Sequence, residues 1–253
     1  NCTGQPCTFD SFELKSLCCA LVKSATTVPS TRTKVMPSTA FYALFSSWGS
    51  NDELSIKNLR MKAITLLALS FMTRPSDLAP RGMCMNKDTG ITERLIFTTD
   101  LITFHDDGSL SITFFGIKND TSREGFVVKL PPAQSPHSDP VSTLKSYISR
   151  TDDVRPAHKA VFITLNKPFN PLQSSSIASI LNDAIKAAGL SGQGYTARSF
   201  RPTGATAAIT GGLLPETAMQ IGRWKTREVF FNRYVYPRAP EEYTDKVLSF
   251  PGI

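Results

Sequence analysis

The sequence predicts an α+β fold, mainly helical with a small three-stranded antiparallel sheet. Three observations predict it. Helical periodicity fills both ends of the chain, alternating strand-like runs cluster between them, and strands do not alternate regularly with helices. The 253 residues are 41% hydrophobic and 19% charged, so there is length and apolar content enough for a substantial core.

The elements follow in order. Residues 8–26 (TFDSFELKSLCCALVKSAT) place Phe9, Phe12, Leu14, Leu17, Leu21 and Val22 toward one side of a short amphipathic helix. An isolated helix of that length is marginal and needs a surface to pack on. Thr27–Pro37 is rich in Pro, Ser, Thr and basic residues and reads as a linker. A domain boundary is therefore expected there, dividing 1–36 from 37–253. The chain begins with Asn1 rather than Met, which predicts a piece excised from something longer.

Helices are expected at Ser38–Trp48 and Ser55–Thr73, the second with Ser55 as its N-cap. Pro75 should end it, leaving Arg74 in the last turn or just past it. The run LITFHDDGSLSITFFGIK then alternates on both sides of Asp106-Asp107-Gly108, a strong hairpin signal. Arg123–Leu130 supplies a third strand and leaves Lys118–Ser122 as the exposed turn. Further helices are expected at about Pro140–Arg150, Leu172–Gly189, Ala197–Thr210, Pro215–Ile221 and Arg227–Tyr234. Pro240–Ser249 reads as a short terminal helix.

Composition removes several classes. The longest apolar run, Ala63–Met72, falls short of the ~18 residues of a membrane span. The first ten residues lack the charged and apolar regions of a signal peptide. Five cysteines, four of them Cys2, Cys7, Cys18 and Cys19, have irregular spacing that fits neither a disulfide framework nor a usual zinc pattern. The three histidines form no HExxH pair, and no GxxxxGK or GxGxxG follows a strand. Neither a metal nor a cofactor is expected. The net charge of +7 favours a polyanionic partner or an acidic surface.

Four places carry residue types suited to a phosphodiester. In RPSDL, Arg74 stands at a helix end with Asp77 three residues on; this is either a surface ion pair or a phosphate-gripping arginine oriented by a carboxylate. In RSFRPTGAT, Arg198 and Arg201 project from one face of a helix start, where free N–H groups and the dipole already favour an anion. The alternative is a basic patch resting on a nucleic-acid backbone. Lys118, in the hairpin turn, is either a solvated lysine or an ammonium able to protonate a leaving oxygen. Gly222-Arg223-Trp224 precedes FFNRYVYP, where Trp224, Tyr234 and Tyr236 could be core-edge aromatics; a tyrosine oxygen can also attack phosphorus and later leave.

In that order RPSDL, GIKND, RSFR-PTGAT, GRW and FNRY resemble the signature of the tyrosine recombinase/integrase family: first arginine box, β-hairpin lysine, HxxR-TxAT box, Gly-His/Trp box and nucleophile. The resemblance spans Pro37 to Tyr236, the family's catalytic domain, and leaves 1–36 as the remnant of a DNA-clamp domain. It implies that Arg74 and Arg201 grip the scissile phosphate. Lys118 would act as general acid, Trp224 would support the site and donate a hydrogen bond, Asp77 would buttress the arginines, and Tyr234 would form a 3′-phosphotyrosyl link without metal or ATP. It further implies double-stranded DNA as partner, and dimers or tetramers on DNA through exchange of the C-terminal segment. The style of the boxes is similar to recombinases of eukaryotic mobile elements, DIRS-type or Crypton-type. Such an origin would place the protein in the nucleus, and otherwise in the cytoplasm or nucleoid.

Two departures stand out. Arg198 occupies the usual His or Lys position and is no general base near neutral pH. The step from Trp224 to Tyr234 is one residue longer than in many relatives. Tyr234 is preferred to Tyr236 because Asn232-Arg233-Tyr234 continues a helix, whereas Pro237 disrupts the chain around Tyr236. Arg198 keeps a catalytically silent DNA-binding domain as an alternative. A type IB topoisomerase-like relaxase and a protein whose basic face binds something other than DNA also remain.

Overall fold

The computed structural model describes residues 33–80, 97–116 and 125–235, with the backbone alone of two short strands between them. These residues lie in one of two units of the chain, Thr33–Ile253. The other unit lies outside the described residues, and so do the helix expected at 8–26 and the one at Pro240–Ser249.

Two helices come first, α1 (Thr39–Ser47) and α2 (Ile56–Ser70). Ser55 caps α2 by accepting the Asn58 N–H at 3.2 Å. Every residue from Met61 to Ala68 is buried, as expected of a helix enclosed on all sides. Even Lys62 is fully buried; its ammonium is satisfied by donating to the Asn51 side-chain oxygen at 2.8 Å. The helix stops at Ser70, short of the Thr73 expected. Met72 turns the chain at φ 50°, and Arg74 is already extended (φ −88°, ψ 155°), the conformation that a following proline imposes.

A hairpin that the sequence did not announce comes next, β1 (Met83–Met85) antiparallel to β2 (Thr92–Arg94). The expected sheet follows: β3 (Ile102–Phe104), β4 (Leu110–Phe114) and β5 (Phe126–Leu130), antiparallel in the order β3-β4-β5. Along β4 Leu110, Ile112 and Phe114 are buried while Ser111 and Thr113 are half-buried, the period of two that faces one side to the core. The β3–β4 turn closes through the Gly108 N–H to the His105 carbonyl at 3.0 Å, with Gly108 at φ 76°.

Five helices complete the described chain: α3 (Pro140–Ser149), α4 (Ser174–Ala187), α5 (Phe200–Thr210), α6 (Pro215–Gly222) and α7 (Arg227–Arg233). Central α2 packs against α3, α4 and α5. At Gly204 the approach of α5 to α2 is so close that a Cβ would stand 2.2 Å from the Leu69 carbonyl oxygen. The main core joins helices to sheet through aromatic contacts, among them Phe41–Phe200 and Phe71–Phe114. A second, smaller core gathers Met72, Ala205, Ala218, Trp224, Phe230 and Val235, with Tyr234 packed against it. Arg201 and Tyr234 pack at the edge of this second core.

Candidate active site

Three chain segments bring the arginines together. The first is the turn after α2. Extended Arg74 leads into a short 3₁₀ turn, Pro75–Asp77, and its backbone N–H donates to the Asp77 carboxylate at 2.9 Å. The second is the 3₁₀ turn Ala197–Ser199 that opens α5. The Asn182 side chain on α4 accepts the Ala197 N–H at 2.8 Å, and the Thr196 hydroxyl accepts the Arg198 N–H at 3.3 Å, which fixes the backbone that carries Arg198. The third is the bend after α6, where Gly222-Arg223-Trp224 folds back on the first two.

Arg201 is the centre of the assembly and is 3% exposed. One of its terminal nitrogens donates to the Met72 carbonyl and the other to the Gly222 carbonyl at 2.6 Å. Its guanidinium carbon lies 4.0 Å from the centre of the Trp224 ring and 5.3 Å from that of Tyr234. Burial lowers its pKa to about 9, helped by the nearby charges of Arg74 and Arg223 and opposed by Asp77 and Tyr234. It therefore remains a cation at neutral pH. Its Nε is buried and makes no hydrogen bond among the described residues.

Trp224 is 8% exposed and stands between Arg201, Phe230 and Tyr234, with both aromatic ring centres 4.9 Å away. Its indole N–H is buried and makes no hydrogen bond among the described residues. The close fit explains Gly222: a Cβ there would lie 1.7 Å from the Trp224 ring. Tyr234 ends α7; its N–H donates to the Phe230 carbonyl at 3.0 Å and its own carbonyl accepts from Thr206 at 3.2 Å.

A cleft of about 780 Å³ opens over these residues, and Arg74, Arg198, Arg201 and Tyr234 all line it, beside Asn182 and the start of α4 at Ser174. Three arginines line this space and none of the lining residues among those described is acidic. The side chains of Arg74 and Arg198 make no hydrogen bond to other described residues, so their donors are available to a ligand. Near a protein surface each guanidinium at ~4 Å attracts a unit negative charge by about 4 kcal/mol. An anion with several oxygens, placed next to a phenol, is what this arrangement suits.

Of the residues singled out from the sequence, Arg74, Arg198, Arg201 and Tyr234 come together at one cleft. Asp77 lies directly behind Arg74 and is buried. Trp224 is not a lining residue; it backs Arg201 and Tyr234 instead. Lys118, Tyr236 and the C-terminal segment lie outside the described residues. Two further residues shape the site without having been singled out. Arg223 is buried and pairs with Asp77 at 3.3 Å, and Asn182 braces the Arg198 turn. For Arg223 the only signal was its place in the Gly-Arg-Trp tripeptide, and for Asn182 there was none. Among the described residues no three His, Cys, Asp or Glu side chains are placed to hold a metal ion, and no helix is long and apolar enough to cross a membrane.

No protein-family model matches the chain, and no curated protein matches its sequence. Solved structures do match. XerA recombinase superposes with a TM-score of 0.60 at 14% identity, over 89% of this chain and 68% of that one. XerH site-specific recombinase, bound to palindromic difH substrate in a post-cleavage complex, gives 0.59 at 13% identity, over 88% and 54%. A lambda integrase dimer bound to a COC′ core site gives 0.50 at 15%, over 87% and 65%. The fold is that of a tyrosine recombinase catalytic domain. This chain spans only 54% to 68% of the length of those recombinase and integrase chains.

Proposed function

We propose that the chain is a site-specific DNA recombinase that cuts and rejoins DNA through a 3′-phosphotyrosine intermediate, without metal or ATP. The observation that carries this reading is the convergence of Arg74, Arg201 and Tyr234 on one cleft that has no acidic lining residue among those described. The Tyr234 phenol oxygen gives up its proton to solvent as it attacks the scissile phosphorus, the bond to the 5′-oxygen breaks, and Lys118 donates the proton that this oxygen takes up. Attack by a 5′-hydroxyl on the phosphotyrosine reverses these steps and frees Tyr234. The energy of the phosphodiester is kept in the protein–DNA bond throughout, so rejoining needs no other source.

Arg74, Arg198 and Arg201 offset the charge that grows on the phosphate in the transition state, the contribution that usually dominates such catalysis. Arg201 does so from a preset position, because two carbonyls and the Trp224 ring hold its guanidinium before DNA arrives. Arg198 acts as a donor to phosphate and not as a base. Double-stranded DNA is the partner, as the substrate-bound XerH and core-site-bound lambda integrase structures suggest. The protein assembles as a dimer or tetramer on DNA through its C-terminal segment. The boxes are similar in style to mobile-element recombinases of DIRS or Crypton type; with such an origin the protein acts in the nucleus, and otherwise in the cytoplasm or nucleoid.

Arg198 also motivates a second reading, a DNA-binding domain of the same fold that no longer cleaves. A nicked suicide oligonucleotide separates the two. The first reading expects a covalent protein–DNA adduct that peptide mass spectrometry maps to Tyr234 and that Tyr234→Phe abolishes. Salt-sensitive binding with no adduct favours the second, and an adduct mapped to Tyr236 overturns the choice of nucleophile.

A further inference from the structure

Arg223 is a buried cation that the reaction as written does not use. Its position is unusual in two ways. It takes the left-handed conformation (φ 61°, ψ 46°) at the end of α6, where residues other than glycine are uncommon. Its side chain is only 1% exposed, so the bend carries a charge inward.

That guanidinium has partners at both terminal nitrogens and an aromatic ring beside it. One terminal nitrogen donates to the Asp77 carboxylate at 3.3 Å and the other to the Ile221 carbonyl at 3.0 Å. The flat of the group lies 4.1 Å from the centre of the Phe114 ring, at the end of β4. The Asp77 oxygen that accepts from Arg223 also accepts the backbone N–H of Arg74. The residues on either side of Arg223 hold the other arginine of the cleft: the Gly222 carbonyl accepts from Arg201, and the Trp224 ring covers its face.

Consecutive residues 222, 223 and 224 thus touch both phosphate-gripping arginines, Arg201 directly and Arg74 through Asp77. The contact with Phe114 adds the strand that leads into the segment bearing Lys118. A buried ion pair contributes little to net stability, since desolvation offsets much of its attraction; what it supplies here is a fixed distance.

We infer that Arg223 is a positioning residue for DNA cleavage, which sets the separation of Arg74 and Arg201 by clamping Asp77 and never touches the phosphate. The inference rests on the recombinase reading of the cleft. Misplacing a reacting or stabilising group by about 1 Å can lower a rate by about 10²-fold, and this is the scale expected here.

The test compares Arg223→Met, Arg223→Lys, Asp77→Asn and the double variant Arg223→Met/Asp77→Asn with wild type and Tyr234→Phe. Single-turnover cleavage of a nicked oligonucleotide, DNA affinity and thermal melting are measured for each. Arg223→Met should cleave about 10²-fold more slowly at saturating DNA, with affinity within about threefold of wild type. Arg223→Lys, which keeps a charge beside Asp77, should recover part of that loss. The double variant should lose no more than about the larger single loss, because both residues act through one contact.

A folded Arg223→Met protein that cleaves at the wild-type rate overturns the inference while leaving the site reading intact. So does a loss of affinity that matches the loss of rate, or single losses that multiply in the double variant. If wild type forms no adduct at all, the recombinase reading fails and the inference fails with it.

Discussion

Arg201 shows how a costly burial can be held in one fixed place. Burying a guanidinium is unfavourable, which is why its pKa is pushed down, yet two backbone carbonyls and an indole face hold it in place as a cation. Those contacts need a planar fork of donors, and an ammonium cannot reproduce them. Arg201→Lys should therefore reduce single-turnover cleavage by about 10²- to 10³-fold, and Arg201→Ala should abolish it, while most DNA binding survives in both. Cleavage within tenfold of wild type in Arg201→Ala would remove Arg201 from the phosphate site. Trp224 is the plate behind it. Trp224→Ala leaves a hole in the second core and should cost about 3–5 kcal/mol of stability by denaturant unfolding.

At the level of elements, the α2–α5 crossing sets where Arg201 stands, and Gly204 sets the crossing. Gly204→Ala forces its new methyl against the Leu69 carbonyl, so the two helices must separate. A loss of about 1–3 kcal/mol in calorimetry is expected, with slower cleavage because Arg201 rides on the same helix. The β3–β4 turn makes a separate prediction, from acid. The Asp107 carboxylate accepts from Lys129 and from Ser109, and these bonds hold its pKa below the usual carboxylate range. A carboxylate whose pKa is lower folded than unfolded stabilises the fold above its unfolded value, about 3.9, and loses that effect as pH falls through the folded one. Thermal melts of wild type and Asp107→Asn should differ at pH 7 and converge toward pH 2. A gap unchanged across that range would show that the carboxylate charge plays no part.

For the whole molecule, the chain carries a net charge of +7, and three arginines and, among the described residues, no carboxylate line the cleft. Binding should then release counterions. A protein that neutralises about four phosphates loses on the order of 10² in affinity for a fourfold rise in salt, and this steepness should appear in titrations between 50 and 200 mM. Affinity indifferent to salt would argue against a phosphate backbone as the ligand. The same titration on Arg198→Ala should show a slope shallower by about one, since the exposed Arg198 reports on a single phosphate contact.

Local chemistry was readable along the chain because its rules act over a few residues. Ser55 announced the start of α2, and Asp-Asp-Gly announced a turn that needs a residue at positive φ. The period of two in β4 and the helical boxes carrying Arg74, Arg198, Arg201 and Tyr234 were visible in the same way. The early stop of α2 was not, since it depends on a left-handed Met72 lying in the second core. Nor was the β1–β2 hairpin, whose residues do not alternate. The pairing of Arg223 with Asp77 across 146 residues, and the stacking of Trp224 on Arg201 rather than over the cleft, belong to packing alone. Residue order could nominate the charges of this site. Only the crossing of α2 and α5 and the bend after α6 could bring them within a few ångströms, because convergence of distant side chains is a property of the packed core and is written in no single segment.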